Sequence, residues 1–151
     1  MRTRTRCRLR VVTFLGLFVA GAPGASSTQT PVAAANSAPS LFTAAQATRG
    51  EASYDRYCLT CHGSHLDDGD FGGPPLRGSY FRGHWGSGDV AALFAYTKNA
   101  MPQDNPGGLG DSTYADILAY ILQVNGYKAG ESELPTEPGA QAGLKLDAAG
   151  D

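Results

Sequence analysis

A chain of 151 residues, 42% hydrophobic and 17% charged, has room for one small domain with a tail and excludes two domains with separate cores. Its 20 glycines and 9 prolines are too many for a regular helical or sheet protein and too few for collagen or a wholly disordered chain, so much of the fold is loop. The formal charge of −2 hides an uneven distribution: after the first ten residues, seven Lys and Arg face 14 Asp and Glu, giving −7. So acidic a body argues against nucleic-acid binding, because phosphates would be repelled.

The first ten residues hold Arg2, Arg4, Arg6, Arg8 and Arg10, and Val11 to Ala22 (VVTFLGLFVAGA) is an apolar run ending in small residues. That is the order of a secretory signal peptide. Twelve helical residues reach about 18 Å, against about 30 Å for a bilayer core, so residues 1–25 are expected to be cleaved, between about 22 and 27, leaving no membrane span. No adjacent Arg pair precedes the run, which suits export of an unfolded chain. Cys7 leaves with the signal, and Cys58 and Cys61 remain in an oxidising compartment, here the periplasm.

Residues 26–42 are small and polar and read as a flexible leader. Thr43 and Gln46 form a capping box, and Gly50, Tyr54 and Cys58 recur every four residues, which predicts a first helix from about Ala44 to Tyr57. Residues 63–88 show no period and read as loop. Asp89 precedes a second helix that stops before Met101-Pro102, where proline disfavours helix at the residue before it. After a second loop, 101–110, Asp111 caps a third helix with Tyr114, Ile117, Leu118, Ile121 and Leu122 on one face, stopped by Asn125-Gly126. Residues 131–151, rich in Gly, Ala, Pro and acid, read as a tail that touches the body at most through Leu134 and Pro135.

Loops this long in a small domain suggest that something besides protein fills its core. Cys58-Leu59-Thr60-Cys61-His62 supplies the candidate, because C-x-x-C-H is the pattern of covalent haem attachment. Two thiols three apart each bond one vinyl-derived carbon of the porphyrin, and the following imidazole becomes the iron's proximal ligand. A zinc site would need two more ligands and finds only His65 and His84, without paired spacing. A thioredoxin-like pair lacks its strand-helix-strand setting, and a plain disulfide closing so tight a ring would be strained. Met101 is the candidate sixth ligand: it is the one methionine besides Met1 and sits among Lys98, Asn99, Gln103 and Asp104, a poor place for core filler. His84 is the rival and His65 a weaker one.

With these residues in hand, the chain resembles the class I cytochrome c family over about residues 43–130. The matching residues are Gly50, Tyr54, Cys58, Cys61 and His62, then Gly73-Pro74-Pro75-Leu76, Met101-Pro102, and Ala119-Tyr120-Ile121-Leu122. The resemblance implies an all-α fold of three main helices and long loops wrapped around one covalently attached haem c. It further implies that the first and last helices cross near-perpendicularly at Gly50, Tyr54 and Tyr120, and that the Pro74 carbonyl receives the proximal imidazole N–H. Trp85 would pack on the haem edge or reach a propionate, or else serve as core. The stretch from Met101 to Pro135 looks like small cytochromes that accompany quinoprotein dehydrogenases. With only Lys98, Lys128 and Lys145 in the body, a lysine-ring docking mode is doubtful.

The function implied is a monohaem carrier of single electrons between periplasmic redox proteins, a quinoprotein dehydrogenase and a terminal oxidase among them, and not an enzyme. His/Met ligation closes both axial positions and raises the reduction potential. The alternative is a haem protein whose displaceable sixth ligand admits peroxide or a gas, with His84 as distal base.

Overall fold

The computed structural model describes residues 40–147. The expected export signal and the leader up to residue 39 lie outside the described residues, as do residues 148–151. The described chain is helical, and its one extended pairing is an isolated antiparallel bridge between Asp89 and Lys145.

Helix α1 spans Ala44–Tyr57. Its start is capped as expected on one side only: Thr43 Oγ1 accepts the Gln46 N–H at 3.1 Å, but the Gln46 side chain does not return to Thr43. It is buried and exchanges two bonds with the backbone of Leu134 instead. The helix breaks at Cys58 (φ −123°, ψ −31°), and a single turn, α2 (Leu59–His62), carries the attachment motif onward.

The stretch from 63 to 88 is not all loop, since Gly78–Trp85 forms helix α3. Its two glycines and Arg77, which makes no side-chain cap, disguise it in the sequence. The missing cap comes from afar: Asn125 Oδ1 accepts the Gly78 N–H at 3.0 Å. Helix α4 (Val90–Ala100) begins where expected, with Asp89 accepting the Ala92 N–H at 2.7 Å.

Helix α5 (Asp111–Val124) has Gly110 at its cap position, so Asp111 is its first helical residue rather than its cap. The Asp111 carboxylate pairs with Lys98 at 2.6 Å, which ties the end of α4 to the start of α5. The buried face of α5 is the expected one, Tyr114, Ile117, Leu118, Ile121 and Leu122.

α1 and α5 make the main packing contact. They meet so closely at Gly50 that a Cβ there would overlap the Asp116 carbonyl and reach Tyr120. Tyr54 and Tyr120 pack beside this point with ring centroids 5.3 Å apart.

Both ends of the domain are longer than the sequence reading allowed. Leu41 and Phe42, read as leader, are core residues. The segment read as a tail from 131 packs on the body through Leu134, Gln141 and Leu146, all buried, with a short helix α6 (Pro138–Gln141) between them. Its far end lies along the start of α4, where Val90 donates to the Leu144 carbonyl and Leu146 to that of Gly88. Scattered leucines among Gly, Ala and Pro carry no period, so only tertiary contact reveals that they are buried.

Candidate functional site

Cys58, Cys61 and His62 meet on the turn that α1 and α2 share. Both thiols are free, Cys58 half-buried and Cys61 exposed. Burial, with the Cys61 thiol nearby, pushes the Cys58 pKa up to about 12. His62 is buried, and its Nδ1 lies 2.8 Å from the Pro74 carbonyl oxygen. A carbonyl can only accept, so Nδ1 carries the proton and Nε2 is left as the donor atom for a metal.

The loop after His62 folds back under this turn. Gly73 donates its N–H to the Cys61 carbonyl at 3.0 Å, and both Gly69 and Gly73 come so near that carbonyl that a side chain at either would collide with it. The Tyr54 hydroxyl donates to the Gly63 carbonyl at 2.8 Å, and burial raises its pKa above the ordinary phenol value. Leu66 holds a left-handed backbone (φ 65°) while fully buried, a conformation unusual for a branched residue. Leu76 closes the loop by donating to the Leu66 carbonyl at 2.7 Å. Asn125 Nδ2 in turn donates to the Leu76 carbonyl at 2.9 Å.

Met101 caps the C-terminal end of α4 and is half-buried. Its N–H donates to the Thr97 carbonyl at 2.9 Å, and its own carbonyl accepts the Tyr114 hydroxyl at 2.7 Å.

The other candidates stand elsewhere. His65 is exposed and pairs with Asp68 at 2.8 Å; its hydrogen bonds hold the Asp68 carboxyl below the usual carboxylate range. His84 lies on the exposed side of α3, stacked on Tyr80 at 4.6 Å. Trp85 is half-buried against the core and tilted onto Tyr96 at 5.4 Å.

Among the described residues no group of three His, Cys, Asp or Glu is placed to hold a metal ion. The donor set does fit haem: two unbridged thiols three apart, an imidazole whose Nδ1 is already engaged, and a thioether on an anchored loop. Sequence reasoning placed Tyr54 and Tyr114 on core faces and missed what their hydroxyls do. The available signal was tyrosine rather than leucine on a buried face, since a buried phenol seeks a partner.

Helices packed around a C-x-x-C-H turn, with the imidazole of its histidine held by a proline carbonyl, point to a c-type cytochrome. Residues 45–121, just over half of the chain, match the family model described as cytochrome c oxidase, cbb3-type, subunit III, and the chain belongs to that family. Comparison with curated proteins and with solved structures found no match. The chain is thus a haem-based electron-transfer protein whose family carries covalently bound haem c.

Proposed function

We propose that this chain carries one haem c, bonded through Cys58 and Cys61 with His62 and Met101 as axial ligands, and shuttles single electrons between periplasmic proteins. The observation that carries the reading is the His62 Nδ1 contact with the Pro74 carbonyl, 2.8 Å, next to two free thiols. A ring fixed in this way presents one nitrogen in one orientation, and the shared proton makes that nitrogen more basic.

Bound here, haem c supplies a ferric/ferrous couple that moves one electron at a time. The chain's residues set the terms of that exchange. His62 and Met101 would hold the iron from its two open sides, and a thioether ligand would favour the ferrous state. Phe81, Leu93 and Phe94 belong to one buried apolar cluster with the α5 face, which keeps water out and limits reorganisation. The negative charge of the body favours a partner with a basic face, which suits a quinoprotein dehydrogenase as donor and a terminal oxidase as acceptor where their docking faces are basic. The Arg-rich start and the apolar run after it support export. Among the described residues no helix is long and apolar enough to cross a membrane.

The test is a pyridine haemochrome spectrum quantified against protein, together with ferric absorption at the thioether-to-iron charge-transfer band. One covalently held haem per chain with that band present is the expected result. A red protein lacking the band, and binding CO at once when reduced, would shift the reading to an open sixth position.

A further inference from the structure

The thioether proposed as sixth ligand sits at the start of a loop that is held at its two ends, at Met101 and at Leu109, which packs against the core. Residues 103–108 are all exposed, and the turns of the loop bond only to one another, Asn105 to Pro102 and Gly108 to Asn105. Met101 itself is tied to the rest of the fold by two main-chain bonds. One is local, from its N–H to the Thr97 carbonyl within α4. The other comes from a different helix: the Tyr114 hydroxyl, on the first turns of α5, donates to the Met101 carbonyl at 2.7 Å.

Tyr114 is itself immobilised. It is 1% exposed, and its ring meets Phe94 edge-on with centroids 6.4 Å apart. The phenol therefore reaches the loop from the rigid core, and α5 is the helix that packs against α1 just before the attachment turn.

We infer that Tyr114 is the positioning residue for the sixth ligand: its hydroxyl, by holding the Met101 carbonyl to α5, keeps the thioether on the iron and sets how often the loop lets go. The inference rests on the reading of Met101 as that ligand. Tyr114 touches neither haem nor partner in this role and acts only through Met101. The hydroxyl bond is worth about as much as any buried hydrogen bond, so losing it should raise the fraction of molecules with a released loop by about three- to tenfold.

Three variants of the haem-loaded full chain test this. Tyr114→Phe removes the hydroxyl and keeps the ring against Phe94. Tyr127→Phe removes another buried phenol that donates to a carbonyl, that of Leu146, far along the chain from the ligand loop. Met101→Ala removes the thioether. The readouts are the charge-transfer band, the rate of CO binding to the ferrous form, the reduction potential and the thermal midpoint.

Tyr114→Phe should bind CO about three to ten times faster than the parent, with a lower potential and a weakened band, whereas Tyr127→Phe should lower the thermal midpoint and leave CO binding and potential alone. If both phenylalanine variants lose only thermal stability, the hydroxyl is structural and the inference is overturned. If Met101→Ala keeps the parent band, Met101 is not the ligand and the inference falls with that reading. The two failures are distinguishable because only the second appears in the Met101 variant.

Discussion

At Gly50 the first helix touches the backbone of α5, for a Cβ there would overlap the carbonyl of Asp116. The contact sets how near α1, and with it the attachment turn, comes to α5. Gly50→Ala would have to push the two helices apart, at a cost of about 2–3 kcal/mol. For a domain of this size the thermal midpoint of the holoprotein should fall by on the order of 10 °C. An unchanged midpoint would show that the helices slide past each other freely.

Replacing Cys58 or Cys61 by Ala, or His62 by Ala, should prevent normal holoprotein from forming. On the proposed reading the haem would serve as both cofactor and core, so that without it a small apolar core should leave the chain largely unfolded. The measurement is the haem that stays with the chain after acid extraction, alongside circular dichroism of the haem-free protein. A haem-free chain with a cooperative transition as large as the holoprotein's would contradict this.

Met101→Ala should leave the haem attached, because the thioether links and His62 are untouched. The reduction potential should fall, since the thioether no longer favours ferrous iron, and CO should bind the ferrous protein. Potentiometry and a CO difference spectrum read both effects. A variant with the parent potential would bring His84 forward, from its place beside Tyr80 on α3.

Gln46 donates to the Leu134 carbonyl at 3.1 Å and accepts the Leu134 N–H at 2.7 Å, all in the buried interior. Gln46→Ala strands both backbone groups and should cost about 1–3 kcal/mol. Gln46→Glu keeps the acceptor but sets a carboxylate against the Leu134 carbonyl, so it should be no milder at neutral pH. Denaturant titration of the three proteins checks the order. A loss well below 1 kcal/mol in Gln46→Ala would mean that water replaces the amide and that the C-terminal segment is held by its leucines alone.

Electron transfer should depend on salt in the sense of an acidic carrier. Exposed charges act over about 8 Å at physiological ionic strength, so reaction with a basic test partner should slow as salt is added, and with an acidic one it should quicken. Stopped-flow rates across ionic strength for both partners decide it. If the acidic partner reacted faster at low salt, local charge at the docking face would outweigh the net charge of the body.

Several features were legible in the sequence because they are local. C-x-x-C-H is a covalent arrangement of neighbours, so Cys58, Cys61 and His62 needed no fold to be recognised. The Asp89 cap of α4, the 3.6-residue period of α5 and the span of α1 rest on interactions within one turn or one face, and all three appear where expected. The G-P-P-L segment was read by likeness, and the bond that the likeness implied, between His62 Nδ1 and the Pro74 carbonyl, is present at 2.8 Å.

The rest was decided between elements distant in sequence. Helix α3, poor in helix formers, takes its cap from Asn125, 47 residues further on. Leu41, Phe42 and Leu146 look like leader and tail until they are seen packed on one core, whereas the contact of Leu134 was expected. Gln46, half of an apparent capping box, turns away because a buried backbone amide and carbonyl at Leu134 offer it two bonds where Thr43 offers one. The sequence by itself determined the local features, the C-x-x-C-H run at Cys58, Cys61 and His62 and the helical periods, because they rest on side chains and their immediate neighbours. The hold of Tyr114 on the Met101 carbonyl and of Asn125 on the Gly78 N–H was decided only by tertiary structure, because a hydrogen bond between groups on different elements leaves no period and no motif.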